Sequence, residues 1–274
     1  MVRTTSAVLL VLAGLVIPAR AEAGEMAGLS DRNSYVTLDT DPASTHGLLA
    51  WVVDGIVHVN SQWFWYRTEG MDGEESVNTL PLEMSLTSGD FDAGTERAVL
   101  LYTGDGFTIT VDVVLTGGSD GSGRADLVES IAIENTAAAP LSFHFYQFCN
   151  PALNNTLTDD VVAILGENNT ARCEDALIRC EAVVTPPPSQ YAAASATSLL
   201  AELGDANPTD LGYVPGPYGP GGNAAWALQW DFDLAGGDTY LVSIDKMIVP
   251  VPEPATLGLL GLGVAGLVVR RRRK

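Results

Sequence analysis

Along residues 107–115 the chain reads FTITVDVVL, with Phe107, Ile109, Val111, Val113 and Leu115 alternating against Thr108, Thr110 and Asp112. A period of two is that of a strand with one buried face. The turn-rich TGGSDGSG follows, then a second alternating run, ADLVESIAIEN, and together they predict a hairpin. Residues 141–149 (LSFHFYQFC) repeat the pattern after Pro140, with Leu141, Phe143 and Phe145 on one face. Later, Trp226, Leu228, Trp230, Phe232 and Leu234 alternate with Ala227, Gln229, Asp231 and Asp233, and Tyr240, Val242 and Ile244 return after a Gly-Gly-Asp turn. Further strands are expected at 35–38, 48–53, 56–66, 80–86, 98–102, 161–165 and 177–184, and one short helix at 191–203. Many short strands divided by Gly, Asp and Asn turns predict an all-β, antiparallel β-sandwich over residues 24–250.

Both ends break this pattern. Arg3 precedes an unbroken apolar run at 7–17, and Pro18 and two small-x-small sites (Ala19-Arg20-Ala21 and Ala21-Glu22-Ala23) follow. That order is a secretory signal peptide, expected over residues 1–23. The other end reads VPEPATLGLLGLGVAGLVVRRRRK from Val251. Residues 255–269 are small or apolar apart from Thr256. As a helix they would span about 22 Å, less than the ~30 Å hydrocarbon core. Snorkelling arginines and local thinning can close that gap, so one short C-terminal transmembrane helix is expected. Arg270, Arg271, Arg272, Arg273 and Lys274 form a stop-transfer cluster that would keep the C-terminus cytoplasmic and the body outside.

Charge agrees with export. Residues 24–250 hold seven Lys and Arg against thirty-two Asp and Glu, a net −25. Such a body repels nucleic acid and anionic lipid. The three cysteines are an odd count. If 174–179 turns a hairpin, Cys173 and Cys180 meet across it, and an exported chain permits a disulfide there. Cys149 is then left as a small buried apolar residue.

Chemistry is sparse. The pairs Asp39/Asp41, Asp90/Asp92 and Asp231/Asp233 each share a strand face, and a solvated face is the simpler account. Glu129 has the inward parity of Leu127, Ile131 and Ile133. A catalytic acid would look like this, but a bulge or an edge position that swings the residue outward is the favoured account. His46, His58 and His144 fit no ligand spacing, so they are expected to be structural or exposed, and no metal is expected. Nor is there a Gly-x-Ser-x-Gly elbow or a phosphate loop, so no cofactor and no catalytic residue are expected. In NSQWFWYR, Phe64 and Tyr66 share one face and Trp63 and Trp65 the other. Exposed, the tryptophans would make a sugar-stacking ligand face; burial is the competing account. The acid-rich turns around Glu69, Asp72, Glu74 and Glu75, and around Asp120 and Asp126, lack EF-hand spacing and read as solvated loops.

The tail also resembles a known signal. Val251-Pro252-Glu253-Pro254, one short apolar segment and a terminal arginine cluster are similar to the PEP-CTERM sorting signal of Gram-negative bacteria, over residues 251–274 only. The resemblance implies an exosortase-like membrane processing enzyme as partner, with recognition at Pro252, Glu253 and Pro254. It also implies a precursor anchored in the inner membrane, then release to the cell surface or extracellular matrix, in association with exopolysaccharide. The leading expectation is thus an exported, non-enzymatic surface or matrix protein. The alternative is a carbohydrate-binding module or polysaccharide-active enzyme.

Overall fold

The computed structural model describes residues 19–21, 26–88 and 94–251. Strands dominate, as the alternation predicts. The first half of the body supplies β1 (Ala19–Ala21), β2 (Met26–Asp31), β3 (Ser34–Asp39), β4 (Leu48–Val53), β5 (Ile56–Thr68) and β6 (Glu75–Ser76). Next come β7 (Leu82–Thr87), β8 (Arg97–Thr103), β9 (Phe107–Gly117), β10 (Ala125–Asn135) and β11 (Leu141–Pro151). The second half holds β12 (Val161–Leu165), β13 (Thr170–Glu174), β14 (Ile178–Thr185), β15 (Gln190–Ser195), α1 (Ala196–Leu203), β16 (Tyr213–Val214), β17 (Ala224–Leu234) and β18 (Thr239–Pro250).

These strands form two sheets. One runs β1-β7-β8-β9-β10-β18-β14-β13-β12, the other β16-β15-β17-β11-β5-β4-β3-β2, with β6 beside β5. The pairing is antiparallel except for β15 with β16. Side chains from the two inner faces fill the space between them: Ile109, Val111, Val113, Leu127, Ile131 and Ile244 from the first sheet, Phe64, Phe145 and Trp230 from the second, all 0 or 1% exposed. Aromatic contacts tie the layers together. Phe107 of β9 meets Phe143 of β11 edge-on at 5.1 Å, and Phe232 of β17 stacks on Tyr240 of β18 at 3.8 Å. Such pairs add about 0.5–1.5 kcal/mol each beyond the area they bury.

Three expectations are corrected. Residues 191–203 are a strand and then a helix, because Tyr191 to Ala194 pair with β17 before α1 begins. Glu129 sits in an unbroken register between β9 and β18, neither bulged nor at an edge, and is 1% exposed. Third, among the described residues no helix is long and apolar enough to cross a membrane. Helix α1 has eight residues, about 12 Å at 1.5 Å per residue against a ~30 Å hydrocarbon core. The transmembrane helix, the membrane contact and the inner-membrane-anchored precursor expected from residues 255–269 thus find no support among the described residues and are not carried further. That segment, with Pro252, Glu253, Pro254 and the basic cluster, lies outside the described residues, as does most of the expected signal peptide.

Cys173 and Cys180 are direct partners in the β13–β14 register, and all three cysteines are buried and free.

Candidate functional site

Three neighbouring strands of the second sheet, β5, β11 and β17, place side chains in rows on the face opposite Phe64, Phe145 and Trp230. Register sets Arg67 opposite His144, and His144 opposite Asp231. The next row is Trp65, Tyr146 and Gln229. Adjacent strands lie about 4.8 Å apart, so each row is a line of neighbouring positions. Phe143, Phe145 and Trp230, of opposite parity, take the inner face.

His144 Nδ1 lies 2.7 Å from Asp231 Oδ1, with the two side chains 25% and 30% exposed. Gln229 Nε2 donates to the same Asp231 oxygen at 2.8 Å and to Asp210 at 3.2 Å. The Asp231 backbone N–H donates to Ser189 Oγ. Burial works to raise the Asp231 carboxyl. The bonds from His144 and Gln229 and the charges of His144 and Arg67 outweigh it and hold the group below its ordinary value. Asp231 is thus a fixed anion, and in the neutral tautomer that donates Nδ1–H to it, His144 keeps the free lone pair on Nε2.

Arg67 is held from its other side. Its Nε donates to Glu74 Oε1 at 2.8 Å, an oxygen that also accepts from Tyr146 Oη at 3.1 Å and Thr209 N at 2.9 Å. Glu74 therefore pins the 69–76 turn and the segment after α1 onto the sheet. Burial, together with the Glu74 charge, pushes the Tyr146 hydroxyl well up, so it remains a neutral donor. Helix α1 packs against β15, β17 and β11. The arrangement is a partly open strip: an anchored arginine, a histidine and an aspartate in line.

Of the residues singled out from sequence, His144, Asp231 and Glu74 belong to this strip and Trp65 to the row beside it, while the others lie elsewhere. Trp63 and Trp65 are 1% and 2% exposed, so they present no stacking face. Trp65 meets Phe148 edge-on at 6.1 Å. Trp63 packs on Phe64 and Tyr102. A side chain at Gly47 would overlap its ring at 1.7 Å. Glu129 is locked between the sheets by Lys246 and Gln62. Asp90 and Asp92 lie outside the described residues. Among the described residues no three His, Cys, Asp or Glu side chains converge as a metal-ligand set. Sequence reading missed His144–Asp231 because the partners are 87 positions apart. The available signal was parity: both are polar residues at outward positions of strands otherwise rich in aromatics.

No curated protein matches the chain. Among solved structures, a bacterial glucoamylase complexed with acarbose is similar, with a TM-score of 0.57 and 11% identity over 91% of this chain and 36% of that one. This chain thus spans about a third of the glucoamylase. Slr1438 protein from Synechocystis sp. PCC 6803 is similar at a TM-score of 0.54 and 8% identity, over 84% of this chain and 97% of its own. At such identities the likeness is one of fold. Part of an enzyme shares this fold, so the expectation of a purely non-enzymatic body is withdrawn. At the other end, residues 250–273 match the PEP-CTERM protein-sorting motif, which supports an exosortase-type partner in general. The chain carries the PEP-CTERM sorting motif at its C-terminal end, consistent with an exported protein of the PEP-CTERM/exosortase system.

Proposed function

We propose that the body is a carbohydrate-active domain, exported through the PEP-CTERM system, that takes a saccharide on the outer face of its second sheet. The observation that carries this is the half-open His144–Asp231 pair at 2.7 Å, in line with Arg67. His144 Nε2 accepts a proton from a sugar hydroxyl or returns one, Asp231 fixes the ring and steadies the imidazolium, and Arg67 faces the oxygen on which charge develops. A fold shared with a glucoamylase that binds acarbose supports a sugar as the ligand class. The strongly acidic body opposes anionic polymers, so a neutral saccharide of the surrounding exopolysaccharide is the substrate favoured.

The test is a panel of neutral and anionic glycans offered to the purified exported chain, read by calorimetry for binding and by NMR for turnover. Neutral sugars should bind, and turnover should vanish in His144→Ala with the fold intact. Binding that survives without any turnover reduces the site to recognition. Failure to bind any saccharide removes the proposal.

A further inference from the structure

Away from this face, the two sheets meet around a buried trio that the sugar chemistry does not use. Glu129 of β10 and Lys246 of β18 are each 1% exposed, and Lys246 Nζ lies 2.8 Å from Glu129 Oε2. The other carboxylate oxygen, Oε1, accepts from Gln62 Nε2 of β5 at 2.7 Å. Gln62 belongs to the opposite sheet and is also 1% exposed. One carboxylate thus grips an amine with one oxygen and a primary carboxamide with the other. Gln62 Oε1 is buried without a hydrogen-bond partner, the unsatisfied atom of the group. The wall is apolar: Cys149 and Cys180 are both 0% exposed and close enough to feel the Lys246 charge.

An ion pair enclosed in this way has lost its hydration, and passing one proton from Lys246 to Glu129 abolishes both charges. The product is a neutral amine, a nucleophile, held on the same carboxyl group as a carboxamide. It is also a carboxylic acid able to donate to a carboxamide oxygen that has no other donor, once the amide group is turned over. Nucleophile, electrophile and proton carrier are then held together in a dry core.

We propose that Lys246 and Gln62 join in an intramolecular isopeptide bond across the sandwich, with Glu129 as the proton carrier. Glu129 takes a proton from the Lys246 ammonium. The nitrogen lone pair then forms a bond to Gln62 Cδ, and the C=O electron pair moves onto Oε1, where the Glu129 carboxyl meets it. Collapse of this intermediate breaks the bond to the Gln62 nitrogen, which departs with that electron pair and a proton relayed from the lysine nitrogen through Glu129. Of the hydrogens on the two nitrogens, one stays on the new amide, three leave as ammonia and one remains on Glu129. Nothing is oxidised or reduced, and no co-reactant is consumed. The bond would fasten β18 of one sheet to β5 of the other, a covalent closure independent of cysteine.

The deciding measurement is the intact mass of the unaltered exported chain, purified folded and then denatured. It should be lighter than its sequence by one ammonia. Proteolysis should yield a branched peptide joining Lys246 to Gln62 that survives thiols and hydroxylamine. Glu129→Gln and Lys246→Met should each show the full sequence mass. Folding of those variants does not decide the matter, because full mass in the folded unaltered chain already overturns the proposal. Cys149 stands opposite Gln62 in the β5–β11 register. A loss of ammonia that disappears in Cys149→Ala and reverses with hydroxylamine would mark a thioester instead, and also overturns it.

Discussion

His144 of β11 and Asp231 of β17 share a hydrogen bond of 2.7 Å on the outer face of the second sheet. Both are partly open to solvent, while the residues on either side of them in each strand line or approach the core. Paired, half-exposed and flanked by Arg67, they are the groups on this face best placed to move a proton. Replacing Asp231 with Asn removes the anion but keeps a group of the same shape. Turnover of any saccharide substrate should fall by about 10²-fold or more, the usual worth of a positioned acid–base group, with little change in melting temperature. Equal activity in Asp231→Asn and the unaltered chain, measured by NMR of the sugar, would dismiss the pair as a proton relay.

Glu74 should matter to stability more than its place in a surface turn implies. One of its oxygens accepts from Arg67, Tyr146 and Thr209 together, and its side chain is fully buried. Removing one partner of a buried pair commonly costs about 3–5 kcal/mol, so Glu74→Ala should lose an amount of that order in urea unfolding. Limited proteolysis should also begin to cut within 69–76 or 204–211. A silent substitution would mean the turn is held by other contacts.

The tryptophan prediction concerns packing. Trp63→Ala and Trp65→Ala should each destabilise by about 3–5 kcal/mol, as buried aromatic truncations do. Glycan affinity, measured below the melting point, should be unchanged. Loss of affinity with an unaltered melt would return these rings to a binding role.

Stability should fall as pH rises from about 4 to about 7. Burial, and then the charges of Asp159 and Asp175, push the Asp160 carboxyl up to about 7 from an ordinary 3.8, against the bond donated by Leu153 N. Between those values the folded chain holds a proton that the unfolded chain has released, so stability declines across the window and levels off above it. Asp126, raised to about 6 by burial and by Asp245, acts in the same sense. His58 acts in the opposite sense, because burial lowers it. The clean reading is therefore the difference between the unaltered chain and Asp160→Asn. Denaturant midpoints at pH 5 and pH 8 should show the variant relatively more stable at pH 8. A difference independent of pH would refute the assignment.

Alternation made most of the sandwich legible. Residues 107–115 carry their buried set at the expected parity, 226–230 are buried on both faces, and the strands at 48–53 and 161–165 begin and end where the pattern says. Residues 191–203 were less legible, because a run of small alanines suits a strand packed under neighbours as well as a helix. Glu129 pointed inward by parity, yet a strand viewed alone offers its charge no partner, so an outward swing looked cheaper. Lys246, 117 positions on, continues the inward parity of Val242 and Ile244. Two opposite charges at inward positions of separate strands were the missed clue. The His144–Asp231 pair was hidden for the same reason: parity fixes a face, but only register fixes a neighbour.

The position of β18 has a mechanical meaning. It lies inside its sheet, bonded to β10 on one side and β14 on the other, and the sorting motif begins at its last residue, Pro250. Tension drawn through the tail along that strand loads both hydrogen-bonded ladders in shear, so many bonds must yield together. A tail leaving from an edge strand would instead peel the sheet open one bond at a time. The sorting signal thus leaves the body from a strand anchored on both sides.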